Sequence, residues 1–279
     1  MSFLLSSFGP PERVRNLEEF GVGTFSSAEC AAKCAQVRGR MQRRHVLRGP
    51  PMFSVIVPVH KETRYLLATL RSLAEQTNQS AEFIIVSNGE PMGNLTQRIA
   101  ESAGFRVIHR RQGGVGGARQ EGLLAARGSI VVTTDGDTLH HPDWLNTIAA
   151  EWRLHPGLAG GFGWVHPLGE SSWYQLCIQL QNLSRSVQGE TFVFGLAEAN
   201  SWFRRDAALA AGGYDSRSRY AEGASLMKKL RSFGPVSCST AEHAAVFTSD
   251  RRLLTDRLRV YAKYMMGYSP RTMQPAFVR

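Results

Sequence analysis

The chain has 279 residues, 43% of them hydrophobic and 20% charged, enough to bury a sizeable core and too apolar for a disordered or fibrous protein. Its 33 Lys and Arg against 23 Asp and Glu give a formal net charge of +10, which favours polyanionic partners: nucleic acid, phosphorylated substrates or an anionic lipid surface. Every apolar run is shorter than the ~18–20 residues a membrane span requires, and the start, Met1 to Phe8 followed by Pro10 and Pro11, lacks the cationic opening of a signal peptide. Of Cys30, Cys34, Cys177 and Cys238 only the first two are close, with no second Cys/His pair at zinc-finger spacing. Free thiols in a reducing cytoplasm are expected.

Residues 1–51 form an Arg-rich N-terminal extension with a helix expected over Ala28 to Met41, closed by Gly49-Pro50-Pro51. From Met52 the character changes. The apolar runs Phe53 to Pro58, Phe83 to Val86, Phe105 to His109 and Ser129 to Thr134 read as strands, and helical patterns over Tyr65 to Gln76 and Gly117 to Ala126 lie between them. Such alternation predicts a Rossmann-like α/β domain, residues 52–250, with a mostly parallel sheet flanked by helices and a ligand site beyond the strands' carboxyl ends. After a helix over Trp144 to Trp152 the pattern loosens, with an amphipathic segment over Ser171 to Val187 and a helix over Tyr220 to Phe233. The division falls into halves 52–165 and 166–250, packed on one another. Residues 251–279 are a basic tail, in which Leu254, Leu258, Tyr261 and Met265 make one stripe of an amphipathic helix. That stripe suits either the core or the surface of an anionic membrane.

The fourth strand runs straight into Asp135-Gly136-Asp137. Two carboxylates one residue apart at the end of a buried strand repel each other and sit near a low-dielectric core, so a counter-charge is expected. A hard divalent cation, manganese or magnesium, supplies it when it bridges to a diphosphate, with Asp137 as the metal ligand and Asp135 and Gly136 facing the nucleotide.

With its neighbours, this loop resembles family 2 glycosyltransferases of the GT-A fold. Phe53 to Glu62 is similar to their opening strand, Phe83 to Gly89 to their second strand, Gly113 to Gly122 to their G-x-x-x-A-R-N-x-G segment, and Thr133 to Asp137 to their D-x-D loop. Gly195 to Arg205 with Ala211 to Asp215 resembles their G-x-N-x-x-F-R-R and G-G-F-D stretch. The resemblance implies transfer of a sugar from a UDP- or GDP-linked donor to a hydroxyl of a glycan, polysaccharide or lipid-linked acceptor, with inversion, on a cytoplasmic protein that can also lie at the inner face of the membrane. It implies a nucleotide-sugar seat at Pro58, Val59, Glu62, Ser87, Asn88 and Arg119, with 52–165 the nucleotide half and 166–250 the acceptor half.

Two departures stand out. Ser87-Asn88 replaces the usual aspartates, and where the family shows Glu-Asp opening a helix this chain has Glu222-Gly223, which makes Glu222 the candidate general base. His243 stands where some GT-A enzymes place a second metal ligand. These departures motivate one alternative, a catalytically impaired nucleotide-sugar or glycan-binding protein. An oxidoreductase is disfavoured because Gly114-Val-Gly116 is followed by Arg119 where a third dinucleotide-binding glycine belongs. Nucleic-acid binding lacks any recognisable motif.

Overall fold

A computed structural model describes residues 22–44, 49–112, 114–168, 179, 182, 197–216 and 222–249. Strand β1 (Phe53–Val59) is buried at every position, as a strand covered by helices on both faces must be. It lies between β2 (Ala81–Asn88) and β4 (Ile130–Thr134), both parallel to it, and β3 (Arg106–Arg110) extends the parallel row beyond β2. The side chains of β1 alternate between two cores. Phe53, Val55, Val57 and Val59 pack with α2 (Leu66–Ala74), α3 (Leu95–Ser102) and α5 (Trp144–Leu154), while Ile56 packs on the opposite face with α4 (Val115–Ala125).

The sheet continues with antiparallel β8 (Asn200–Arg204) on β4, then β6 (Gly160–Gly163) and β9 (Val236–Ser239), giving the order β3-β2-β1-β4-β8-β6-β9. Helices α6 (Arg205–Ala210) and α7 (Glu222–Leu230) cover the same face as α4. A second sheet joins β5 (Thr138–His140), β10 (Val246–Thr248) and β7 (Val165–Pro167). The two halves therefore share a sheet, in agreement with the α/β architecture read from the sequence.

Three features differ from the sequence reading or add to it. The glycine-rich 160–163 stretch, with the wrong composition for a strand, is β6. A Cβ on Gly161 would stand 2.6 Å from the Trp202 indole nitrogen, so only glycine lets the strand approach β8. Residues 1–51 contain α1 (Ser27–Arg43), opened by a Ser26/Glu29 capping box, whose buried Cys34 and Val37 enter the core beside α3. Asn94 caps α3 by accepting from the Gln97 amide. Cys30, Cys34 and Cys238 are free thiols, and burial pushes Cys34 up to about 12. Among the described residues no helix is long and apolar enough to cross a membrane. The amphipathic segment expected over 171–187, save two positions, and the basic tail 251–279 lie outside the described residues.

His140 locks β5 to the parallel sheet. Its ring is buried, with Nδ1 2.9 Å from Ser72 Oγ and Nε2 2.8 Å from Thr134 Oγ1. Since Ser72 Oγ donates to the Thr69 carbonyl, it accepts from His140 Nδ1–H, and Thr134 donates to Nε2. Burial depresses the imidazole to about 3, so the folded protein holds it neutral where the unfolded chain would protonate it. Stability from this group is full above the unfolded value near 6.5 and falls as pH drops toward 3. Urea unfolding at about pH 7.5 and about pH 5 should show a loss smaller by about 2 kcal/mol in His140→Gln than in wild type.

Candidate active site

The acidic loop begins where β4 ends. Arg119, from α4, is 2% exposed and reaches two carboxylates: its Nη2 donates to Asp135 Oδ1 at 2.7 Å and its Nη1 to Glu222 Oε1. Glu222 opens α7 and is itself 3% exposed. Burial alone would favour neutral arginine, but Glu222, Asp135 and Glu198 outweigh it and raise the guanidinium further above its ordinary value. The sequence-predicted Arg119, Asp135 and Glu222 are thus brought into one ion-paired group.

Gly136 seats the loop on the scaffold. Its carbonyl accepts from Thr69 Oγ1 at 3.0 Å, and a Cβ there would stand 2.8 Å from Val59 Cγ1. Asp137 is 3% exposed, and Ser249 Oγ donates to its Oδ2 at 2.7 Å while the Ser249 amide donates to its carbonyl at 3.1 Å. His243 is elsewhere. The register Val246↔His140, Thr248↔Thr138 puts Asp137 and His243 beyond opposite ends of the β5/β10 pair. Its ring stacks on His141 with centroids 3.7 Å apart, and the ligand atoms of His141, His243 and Asp143 lie within 4.8 Å of one another. From the β10 side Ser249 meets the acidic loop, while His243 is grouped with His141 and Asp143.

On the other side of β1 the carboxyl ends of β1 and β2 make a shelf. Pro58 and Val59 end β1. Glu62 is buried in the turn that follows and accepts from the Tyr65 amide at 3.2 Å, fixing the start of α2. Strand alternation separates Ser87 from Asn88. Ser87 is fully buried, and its hydroxyl accepts from Asn94 Nδ2 at 2.9 Å, so it supports the α3 cap. Asn88 is turned to other partners: its Oδ1 accepts from Arg110 Nη1 at 3.3 Å, and its carbonyl lies 2.7 Å from His60 Nδ1. Arg110 was missed in the sequence, where it is one more surface arginine; a Cβ on Gly117 would meet its guanidinium at 2.4 Å, so the side chain lies flat on the first turn of α4.

Glu198 was also missed. It lies on the short helix Ala197–Ala199 that leads into β8, and its backbone carbonyl accepts from Thr133 Oγ1 at 3.1 Å. Its Oε1 accepts from the Gly223 amide at 3.0 Å. Burial and then the neighbouring Glu222 push it up to about 7, against the pull of Arg119. Trp202 is wholly buried in the core.

The family model for "Glycosyl transferase family 2" matches residues 54–209. Curated relatives include an uncharacterized glycosyltransferase, EpsJ, and a putative one, EpsH, both of Bacillus subtilis. They are 37% identical over 90 residues and 34% over 99, or 31% and 34% of this chain, and the match spans 26% and 28% of their own length. Similar solved structures include the mannosyltransferase PcManGT of Pyrobaculum calidifontis in complex with GDP-Man and Mn2+, with TM-score 0.53 at 20% identity, covering 79% of this chain and 66% of that one. Another is S. aureus TarS 1-349 in complex with UDP-GlcNAc, with TM-score 0.57 at 19% identity, covering 71% of this chain and 58% of that one. These structures share the GT-A fold expected from the sequence.

The ion-paired group makes a prediction about stability. Arg119→Met leaves Asp135 and Glu222 without their shared guanidinium and should cost about 3–5 kcal/mol in urea unfolding at neutral pH. Arg119→Lys keeps the charge but not the fork that spans both carboxylates, and should lie between.

Proposed function

Since the chain belongs to glycosyl transferase family 2, we propose that it transfers a sugar from a nucleoside-diphosphate donor to an acceptor hydroxyl. The observation that carries the reading is the position of the acidic loop: at the carboxyl edge of the parallel strands, tied through Arg119 to the start of α7, where α/β sheets bind ligands. Pro58, Val59, Glu62 and Asn88 line the shelf for base and ribose, with Arg110 added and Ser87 beneath it. Asp135 and Gly136 face the diphosphate.

The residues fit a divalent cation. Asp135 and Asp137 stand one residue apart at the end of β4, Asp135 paired to Arg119 and Asp137 steadied by Ser249, and carboxylate oxygens suit manganese or magnesium. Asp137 would hold the ion, with Ser249 Oγ steadying its carboxylate; bound there, the ion would supply charge balance on the departing diphosphate. The protein's own groups orient the donor, and a carboxylate on the α7 side takes the proton of the acceptor hydroxyl. Transfer with inversion follows if that hydroxyl attacks from the face opposite the diphosphate. A UDP- or GDP-linked sugar is the proposed donor, by likeness to the two solved complexes. A glycan or lipid-linked molecule is the proposed acceptor, and the net charge of +10 supports peripheral contact with an anionic membrane.

The competing reading, a binder without turnover, is favoured by Gly223, which removes a carboxylate from the start of α7. Calorimetric titration with UDP and with GDP, in manganese and in chelator, tests the donor site. One nucleotide should bind only with metal, and Asp137→Ala should weaken it about tenfold or more while the unfolding midpoint holds. Binding of neither nucleotide would sink the transferase reading. Binding with no nucleotide release from UDP-GlcNAc or GDP-mannose would favour the binder.

A further inference from the structure

The space beside Gly223 is already filled. A Cβ built on it would stand 2.6 Å from Glu198 Cγ, 3.0 Å from Cδ and 3.1 Å from Oε1. No side chain fits there while Glu198 holds its place, and no bulkier residue at 223 would leave the Glu198 carboxylate on the Gly223 amide. The residue that lacks a carboxylate in the chain therefore has one in space, delivered from the strand β8 side. At the first turn of α7, that carboxylate accepts a helix N-terminal N–H.

Glu222, the base expected from sequence, is engaged differently. Its Oε1 accepts from Arg119 inside the protein, and withdrawing it from the guanidinium during a proton transfer would break a buried ion pair. Glu198 is held through a neutral amide instead, and can change its protonation without dismantling that pair. We infer that Glu198 is the general base of the transfer reaction, its carboxylate standing in for the one absent at Gly223, with Glu222 a positioning residue that fixes Arg119.

This assignment rests on the transferase reading. In the step it describes, Glu198 accepts the proton of the acceptor hydroxyl. The hydroxyl oxygen forms a bond to the anomeric carbon, and the bond from that carbon to the diphosphate oxygen breaks with its electron pair leaving on the nucleoside diphosphate. Proton and charge both balance. The groups facing Glu198 are Glu222 on α7, Arg119 on α4 and the buried Tyr214 that precedes α7. Burial with Glu222 nearby sets its ionisation near 7, a range in which a base is half available at neutral pH and still strong enough to take a proton.

The test measures nucleoside-diphosphate release from UDP-GlcNAc and from GDP-mannose with manganese, water serving as acceptor, alongside calorimetric affinity for UDP and GDP. Glu198→Gln should lower release about 100-fold or more and leave nucleotide affinity and the unfolding midpoint near wild type. Wild-type rate should rise with pH through about 7, and that limb should vanish in Glu198→Gln. The double variant Glu198→Gly/Gly223→Asp, which returns a carboxylate to position 223, should recover about tenfold or more over Glu198→Gln. The assignment is overturned if Glu198→Gln turns over like wild type with its pH limb intact, or if it loses nucleotide affinity along with rate. A wild-type protein that binds nucleotide but releases none from either donor also overturns it, leaving the nucleotide site standing. If wild type binds no nucleotide, the transferase reading itself falls.

Discussion

A guanidinium taken out of water has to be met by carboxylates or it costs several kcal/mol, and Arg119 is buried at the junction of three elements. Helix α4 supplies it, the loop after β4 meets it with Asp135, and the first turn of α7 meets it with Glu222. None of the three can shift alone without exposing an unpaired buried charge. That constraint ties the first half of the chain to the second more firmly than shape would, and it sets the acidic loop and the helix start at a fixed separation.

The sheet topology explains why the chemistry gathers at this edge. Parallel strands β1, β2 and β4 all end on one side, which collects Pro58, Val59, Asn88 and Asp135. Strand β8 runs the other way, so its beginning lies beside the end of β4, with Asn200 opposite Thr134. The residue just before an antiparallel neighbour thus lands at the same edge as the residue just after a parallel strand. Glu198 and Asp135 are 63 positions apart in sequence and share a guanidinium's field. Asn200 secures the arrangement: its amide accepts from Trp144 Nε1 and donates to the carbonyls of Trp164 and Ala244, so a buried polar side chain is satisfied on both its oxygen and its nitrogen.

What could be read from the sequence follows the same physics. Strands β1, β2 and β4 announce themselves because burial on both faces demands unbroken apolar runs, and the acidic loop is legible because its carboxylates sit where such a run stops. Strand β6 is hidden, since its glycines exist to admit Trp202 rather than to favour a strand. Ser87 and Asn88 are adjacent in sequence, but strand alternation gives them different partners, Asn94 for one and Arg110 for the other. The grouping of His243 with His141 is not legible, because the direction of β10 decides which end of β5 it meets and nothing in its own neighbourhood encodes that. Glu198 leaves only an indirect signal: a missing carboxylate at Gly223 asks where its replacement lies, and Glu198 is 25 residues away while Asp206 and Asp215 stand nearer in the sequence.

The buried ionisable groups also oppose one another in their dependence on pH. The folded state holds a proton on Glu198 up to about 7, above the ordinary carboxylate value, so this group favours folding most at low pH and loses that contribution as pH rises from about 4.5 to 7. His140 has the reverse slope, favouring folding above about 6.5 and losing ground below it. Between these limits each offsets part of the other's dependence. The two are physically separate, one in the lock between α2 and β5 and the other beside the Arg119 ion pairs, so each slope can be altered without the other.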